Sequence, residues 1–184
     1  MKRTNNLILT ILCLTLLVFA GCSKNEEKNA QQIAKDFITD LYTVSNEEVE
    51  NYKSLRDVSP AEALEMDLSS AVQINDDILK SLMSEDAYEI LLKNRDNLKL
   101  TELCYRKNRT IQAAEIRLSE NNTDINKNKA DYDFEIILKL ISDDGTETED
   151  IAKGSVSLGK IDDTWKITGY KSGPFPDILM KLPD

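Results

Sequence analysis

The chain contains no histidine. That removes Ser-His-Asp and Cys-His nucleophile systems, imidazole ligands for zinc and the usual general base near neutral pH. Any enzyme built on this sequence would have to work with carboxylates, Lys or Tyr. Cysteine is nearly as scarce, with Cys13, Cys22 and Cys104 the three present. Positive charge is the minority, 23 Lys and Arg against 33 Asp and Glu, for a net charge of −10. A chain of this kind repels a phosphate backbone and gains nothing from an anionic lipid surface, because both attractions need clustered cations. Nucleic acid is therefore excluded as a partner. The apolar stretch over residues 7–19, interrupted by Thr10 and Thr15, is too short for a permanent span: as a helix it would cover ~20 Å of a ~30 Å hydrocarbon core.

What that stretch does fit is a secretory signal. Lys2 and Arg3 precede it, the small residues Ala20 and Gly21 follow it, and Cys22 comes next, which is the charged, apolar, small-residue order of an export sequence. The segment Val18-Phe19-Ala20-Gly21-Cys22 resembles the lipobox of bacterial lipoproteins, with Phe19 standing where the family usually has Leu. The resemblance implies cleavage before Cys22 and acylation of its sulfur with palmitate-type chains. Two or three chains at ~0.8 kcal/mol per buried methylene suffice for stable anchoring. Residues 1–21 are then a signal peptide, and residues 22–29 the lipidated Cys with a polar tether. The mature chain is expected outside the cytoplasm, anchored to the cell membrane through Cys22 without spanning it. Cleavage would take the net charge from −10 to −12, since residues 1–21 carry two positive charges and no negative ones. Cys104 would remain the only unmodified cysteine, with no intramolecular disulfide available. Set between Leu103 and Tyr105, it reads as a buried structural thiol. Abundant Lys, Asn and Ile match the usage of AT-rich genomes and point to a Gram-positive host.

From residue 30 the pattern is helical. Ile33, Ala34, Phe37, Ile38, Leu41 and Tyr42 fall on one stripe. Ser45-Asn46-Glu47-Glu48 forms a capping box flanked by Val44 and Val49 as a hydrophobic staple, opening a helix that runs to about Asp57. Ser59-Pro60-Ala61-Glu62 opens a third helical region through Leu64, Leu68 and Ala71. Ser84, with Glu85 and Asp86 in the first turn, caps another that carries Tyr88, Leu91 and Leu92 inward. Then the period changes to two. Strands are expected at 100–108 and 111–119, followed by an Asn-rich loop over 120–130. Tyr132, Phe134, Ile136, Leu138 and Leu140 alternate with their neighbours in the clearest strand. Asp143-Asp144-Gly145-Thr146 supplies a hairpin turn. A return strand runs through Ala152, Gly154, Val156 and Leu158, a turn covers 159–163, and Trp165, Ile167 and Gly169 mark the last strand. Segregated helices and strands argue an α+β fold, with N-terminal helices packed on a curved antiparallel sheet of about five strands over residues 30–172. Residues 173–184 form a C-terminal tail.

This element order, closing in the strand Asp163-Thr164-Trp165-Lys166-Ile167, is similar to the NTF2-like, cystatin-like superfamily. The resemblance implies a cone whose mouth can take a small molecule, a peptide or another subunit. Enzymatic members of the family place an Asp, or an Asp with His, beside a Tyr inside the cone. No such set matches here residue by residue, so no catalytic residue, cofactor or metal ligand is assigned. Phe37, Tyr42, Tyr88, Tyr105, Phe134 and Trp165 are the candidates to line a pocket, although their spacing is also what a core requires. The acidic run Asp143, Asp144, Glu147, Glu149 and Asp150 has oxygen ligands suited to calcium but lacks the spacing of a calcium loop. The sequence thus favours a non-enzymatic binding or protein-interaction module of the cell envelope, meeting an envelope protein or small ligand. Its rivals are a carboxylate-based enzyme of the same fold and a homodimerising structural subunit.

Overall fold

In the computed structural model the helices come first, α1 over residues 25–42, α2 Asn46–Arg56, α3 Asp76–Leu82, α4 Glu85–Lys93 and α5 Asp96–Lys107. The strands follow as β1 Arg109–Glu120, β2 Lys129–Ser142, β3 Glu147–Ile161 and β4 Thr164–Ser172, with a 3-10 turn at Ile125–Lys127. The structure describes residues 25–56 and 76–173. The signal with Cys22, the helical region expected after Ser59 and the tail beyond Gly173 lie outside those residues.

Helix α1 follows its apolar stripe. Ala30, Ala34, Phe37 and Ile38 are fully buried, and Leu41 and Tyr42 nearly so. The helix already includes residues 25–29, expected as a tether. Side chains of that first part bond within the domain: Glu27 Oε1 accepts from Gln31 Nε2 one turn on (3.2 Å), and Glu26 reaches the sheet. The capping box forms as expected, the Ser45 N–H donating to Glu48 Oε2 (2.6 Å) while Ser45 Oγ accepts from the Glu48 N–H (3.3 Å). Ser84 Oγ likewise accepts from the Ala87 N–H (3.3 Å) to open α4. In α4 it is Ala87 and Leu91 that turn inward, while Leu92 stays 37% exposed.

The expected strand at 100–108 is instead α5. Leu98 with Leu100 and Leu103 with Tyr105 each lie two apart, but the phase breaks between the pairs, and the buried residues are Leu100, Thr101 and Cys104, a helical spacing. Asp96 in the first turn and Arg106 and Lys107 in the last suit the helix dipole. Asn108 closes the helix in the left-handed region (φ 49°), its N–H reaching the Cys104 and Tyr105 carbonyls.

The sheet consequently has four strands, ordered β1-β2-β3-β4 and antiparallel throughout. Along β2, Ala130, Tyr132, Phe134, Ile136, Leu138 and Leu140 face the helices. The β2–β3 turn places Gly145 at φ 80°, as its Asp-Gly sequence requires. The next turn is tighter than expected: Gly159 stays in the ladder, opposite Lys129 and Lys166, and only Asp162 and Asp163 turn, at φ 48° and 61°. Two left-handed residues match the twist of the flanking strands. Bulges fall between Ala113 and Glu115 and between Ser157 and Leu158, and such bulges bend and twist a strand. Helix junctions bond to both sheet edges. Val44 exchanges two hydrogen bonds with Ile111 (2.8 and 3.0 Å), and the Ser84 N–H donates to the Ile167 carbonyl (2.8 Å).

Candidate functional site

The structure does not gather the six candidate aromatics round one space. Phe37, Tyr42 and Phe134 come together between α1 and the sheet, in company with Tyr170. Phe37 meets Tyr170 edge-on, ring centroids 5.4 Å apart, and Tyr42 meets Phe134 the same way at 5.8 Å. The hydroxyls of Tyr42 and Tyr170 share a hydrogen bond of 3.2 Å. Trp165 is at the other end of α1, where its Nε1–H donates to Glu26 (2.9 Å) and the Lys160 ammonium lies 5.7 Å from its ring centroid. Tyr105 pairs with Tyr52 across α5 and α2 at 5.6 Å. Tyr88 packs half-buried on α4 against the core. With Phe37 at 0% exposure, Phe134 at 3% and Tyr42 at 5%, these rings act as core.

Tyr170 was hidden from the sequence by the bulge. Strict alternation from Trp165 and Ile167 would turn it outward. The bulge in the β3–β4 register shifts the phase, so that Ile167 faces Leu158 and Tyr170 faces Val156, both inward. A bulge leaves little mark in sequence beyond the local Thr168-Gly169.

Burial drives the shifted titrations between the helices and the sheet. The Tyr42 phenol is raised and the Tyr170 phenol is pushed well above its ordinary range, both chiefly by burial. Cys104, fully buried, has its thiol pushed up to about 12 by burial and then by the Glu48 carboxylate, which makes it inert. Asp40 is raised to about 6, again by burial first and Glu48 second, and its Oδ2 is enclosed without a hydrogen-bond partner. A carboxyl of this kind can exchange a proton near neutral pH. Its charged neighbour Glu48, however, is engaged in the cap of α2.

The opposite face of the sheet carries charge. Glu135 pairs with Lys153 (2.7 Å) and Arg117 (3.6 Å), and Arg117 also holds Glu115 (2.8 Å). Asp133 accepts from Asn121 Nδ2 (3.3 and 3.2 Å). Within this frame Ile137 and Ile151 are cross-strand partners, and Ile151 is 48% exposed. Of the acidic run, Asp144 is committed to its own turn: Oδ1 accepts from Ser142 Oγ (2.7 Å) and the Thr146 N–H (2.9 Å), which hold its carboxyl down at about 2. Among the described residues no group of three or more Cys, Asp or Glu is arranged to hold a metal ion, and no helix is long and apolar enough to cross a membrane.

No family model matches the chain, and no curated protein matches it in sequence. Among solved structures it is similar to a periplasmic fragment of TraM, with a TM-score of 0.47 and 9% identity over 79% of this chain and 96% of that one. It is also similar to a calcium/calmodulin dependent protein kinase II association domain from Xanthomonas campestris, with a TM-score of 0.29 and 16% identity over 45% of this chain and 56% of that one. At these levels, function is argued from the residues of this chain.

Proposed function

We propose that the protein is a membrane-anchored extracytoplasmic lipoprotein whose NTF2-like domain is a non-enzymatic binding or protein-interaction module of the cell envelope. The anchor rests on the sequence from Val18 to Cys22. The module rests on one observation above all, the packing of Phe37, Tyr42, Phe134 and Tyr170 against each other in the interior. Rings that fill the space between helix and sheet leave recognition to the outside. There the Ile137–Ile151 pair, framed by Glu115, Glu135 and Lys153, has the apolar centre and charged rim of a small protein interface.

Two measurements test the two halves. Cells fed labelled palmitate should incorporate it into the wild-type chain and sediment that chain with membranes, and Cys22→Ala should lose both. A photo-crosslinking residue at position 151 should give a discrete adduct in intact envelopes, whereas the same residue at exposed Asp36 should not. An adduct at twice the protein's mass, with light scattering giving a dimer, would assign the face to a second copy of the chain. Palmitate labelling that survives Cys22→Ala would remove the anchor reading.

The carboxylate-enzyme reading has one observation in its favour, the enclosed Asp40 with its raised titration. It would displace the module reading if a hydrolase or isomerase activity of the protein vanished in Asp40→Asn while the fold persisted.

A further inference from the structure

Strands β2 and β3 pair without a break in register, so the ladder itself shows which of their outward residues stand side by side. Along β2, Glu135, Ile137 and Lys139 alternate with the buried Phe134, Ile136, Leu138 and Leu140, and all three therefore point away from the helices. Their ladder partners on β3 are Lys153, Ile151 and Glu149 respectively, and directly opposed residues share a face of the sheet. An isoleucine pair is thus surrounded by four charges that alternate in sign from corner to corner. Glu135 is held by Lys153 at 2.7 Å, but Lys139 lies 3.7 Å from Glu147 on the next rung, instead of reaching across to Glu149. Among the described residues Glu149 makes no ion pair.

Copies of one chain meet most often about a two-fold axis, and the shared patch must then complement itself. This patch does. A second copy turned over about an axis that runs along the strands, midway between β2 and β3, lays each of these β2 residues on the β3 residue that is its ladder partner. Ile137 then meets Ile151 of the second copy, Glu135 meets its Lys153 and Lys139 meets its Glu149, each contact being made twice. Sheets packed face to face keep their strands within about 30° of each other, which leaves such long side chains in reach. An axis across the strands would match charges as well, setting Glu135 on Lys139 and Lys153 on Glu149. The membrane anchor separates the two arrangements. Glu26, four residues after Cys22, is bonded to Trp165 and Lys160. Lys160 is nine residues beyond Ile151 on β3, a distance of ~30 Å, so the lipid is tied to one end of the strands. An axis along the strands keeps both anchors at that end, whereas an axis across them sends the two to opposite ends, where one membrane could not hold both.

We propose that the Ile137–Ile151 face binds a second copy of the chain, in a two-fold dimer whose axis runs along β2 and β3 and whose lipid anchors lie on one side. This names the partner of the interaction face proposed above, and it rests on that reading and on the anchor at Cys22. Burial of the isoleucines supplies attraction, while the alternating charges fix register and orientation. The net negative charge of the chain opposes association only weakly at physiological salt, where exposed charges are screened beyond ~8 Å. Confinement of both copies to one membrane raises the effective concentration at which the faces meet.

The test is sedimentation equilibrium of the full chain in density-matched non-ionic detergent. The wild type should be a dimer that dissociates on dilution. Lys153→Glu sets like charges against each other twice and should raise the dimer Kd at least about tenfold. Lys93→Glu, the same change of charge at an exposed position on α4, should leave the Kd as it is. Adding Glu135→Lys to Lys153→Glu should restore the dimer, and adding Glu149→Lys should not. If these variants fold poorly, Glu149→Lys alone and together with Lys139→Glu should show the same loss and recovery on the other side of the isoleucines. Recovery of Lys153→Glu by Glu149→Lys would turn the axis across the strands and overturn the proposal, as would a dimer indifferent to Lys153→Glu and Glu149→Lys. A monomeric protein that crosslinks from position 151 to a different envelope protein would overturn it and leave the interaction face standing. A monomer that gives no adduct from position 151 would remove both.

Discussion

At the scale of single residues, Asp40 is the group whose titration is most informative about stability. Its carboxyl is raised from 3.8 to about 6 by burial and the Glu48 carboxylate, so the native state holds a proton that the unfolded chain has released. The stability this lends is fully present below about pH 4 and is lost as pH rises through about 6. Asp144 acts in the opposite sense, but its carboxyl, lowered from 3.8 to about 2, loses its contribution only in stronger acid. Between about pH 4 and 6 the Asp40 contribution should therefore fall as pH rises. Asp40→Asn should abolish most of that slope, unfolding at a higher temperature than wild type near pH 7 and at a similar one near pH 4. Parallel pH–Tm curves for the two proteins would refute the assignment. None of this is visible in the sequence, where Asp40 is one acid on a helix among many. Its burial, with Glu48 of α2 as a charged neighbour, is a tertiary fact.

At the scale of elements, the legible parts were those in which a local period met a local stop signal. The α1 stripe, the Ser45 and Ser84 caps, the β2 alternation and the Asp-Gly turn are all present as their residues dictate. The α5 segment was less legible, because Leu98 with Leu100 and Leu103 with Tyr105 are apolar two apart without one phase between them, and the decisive burial of Thr101 and Cys104 depends on α2 and β1 packing nearby. A close approach of the strands lies at Gly154, opposite both Phe134 and Ser172. A Cβ there would stand 2.4 Å from the Lys171 carbonyl oxygen and 2.6 Å from Phe134 Cζ. The backbone oxygen cannot step aside without parting β3 from β4, and the ring is wedged against Tyr42. Gly154→Ala should cost about 1–3 kcal/mol, as overpacking of a filled core does. At Gly169 the nearest atom to such a Cβ is Ser157 Cβ at 3.6 Å, an ordinary contact, so Gly169→Ala serves as the control. Urea unfolding of the two variants measures the difference; equal midpoints would mean that the sheet yields where the packing says it cannot.

At the scale of the whole molecule, the start of α1 governs how the domain would sit on a membrane. The chain has a single tryptophan, Trp165, and its indole N–H is bonded to Glu26 at 2.9 Å. Glu26 is four residues after Cys22, a separation of at most ~14 Å even if the chain between them were fully extended. On the lipoprotein reading, the end of the domain bearing Trp165 and Lys160 is therefore held close to the lipid. Nothing in the charge of the chain would draw it there, because a net −12 after cleavage is repelled by anionic headgroups, so the covalent anchor alone must do so. Energy transfer from Trp165 to dansyl-labelled headgroups in vesicles reads the distance directly. Transfer should be strong for the lipidated protein and absent for Cys22→Ala, which would not partition into the vesicles. Inserting about twelve Gly and Ser residues after Ser23 adds a flexible reach of roughly 20 Å and should lower the transfer while leaving the protein bound. Transfer indifferent to the insertion would show that the domain adheres to the bilayer by its own surface. A bound protein with weak transfer before any insertion would mean instead that the clamp between Glu26 and Trp165 opens at the membrane, freeing the first turns of α1 to lengthen the tether.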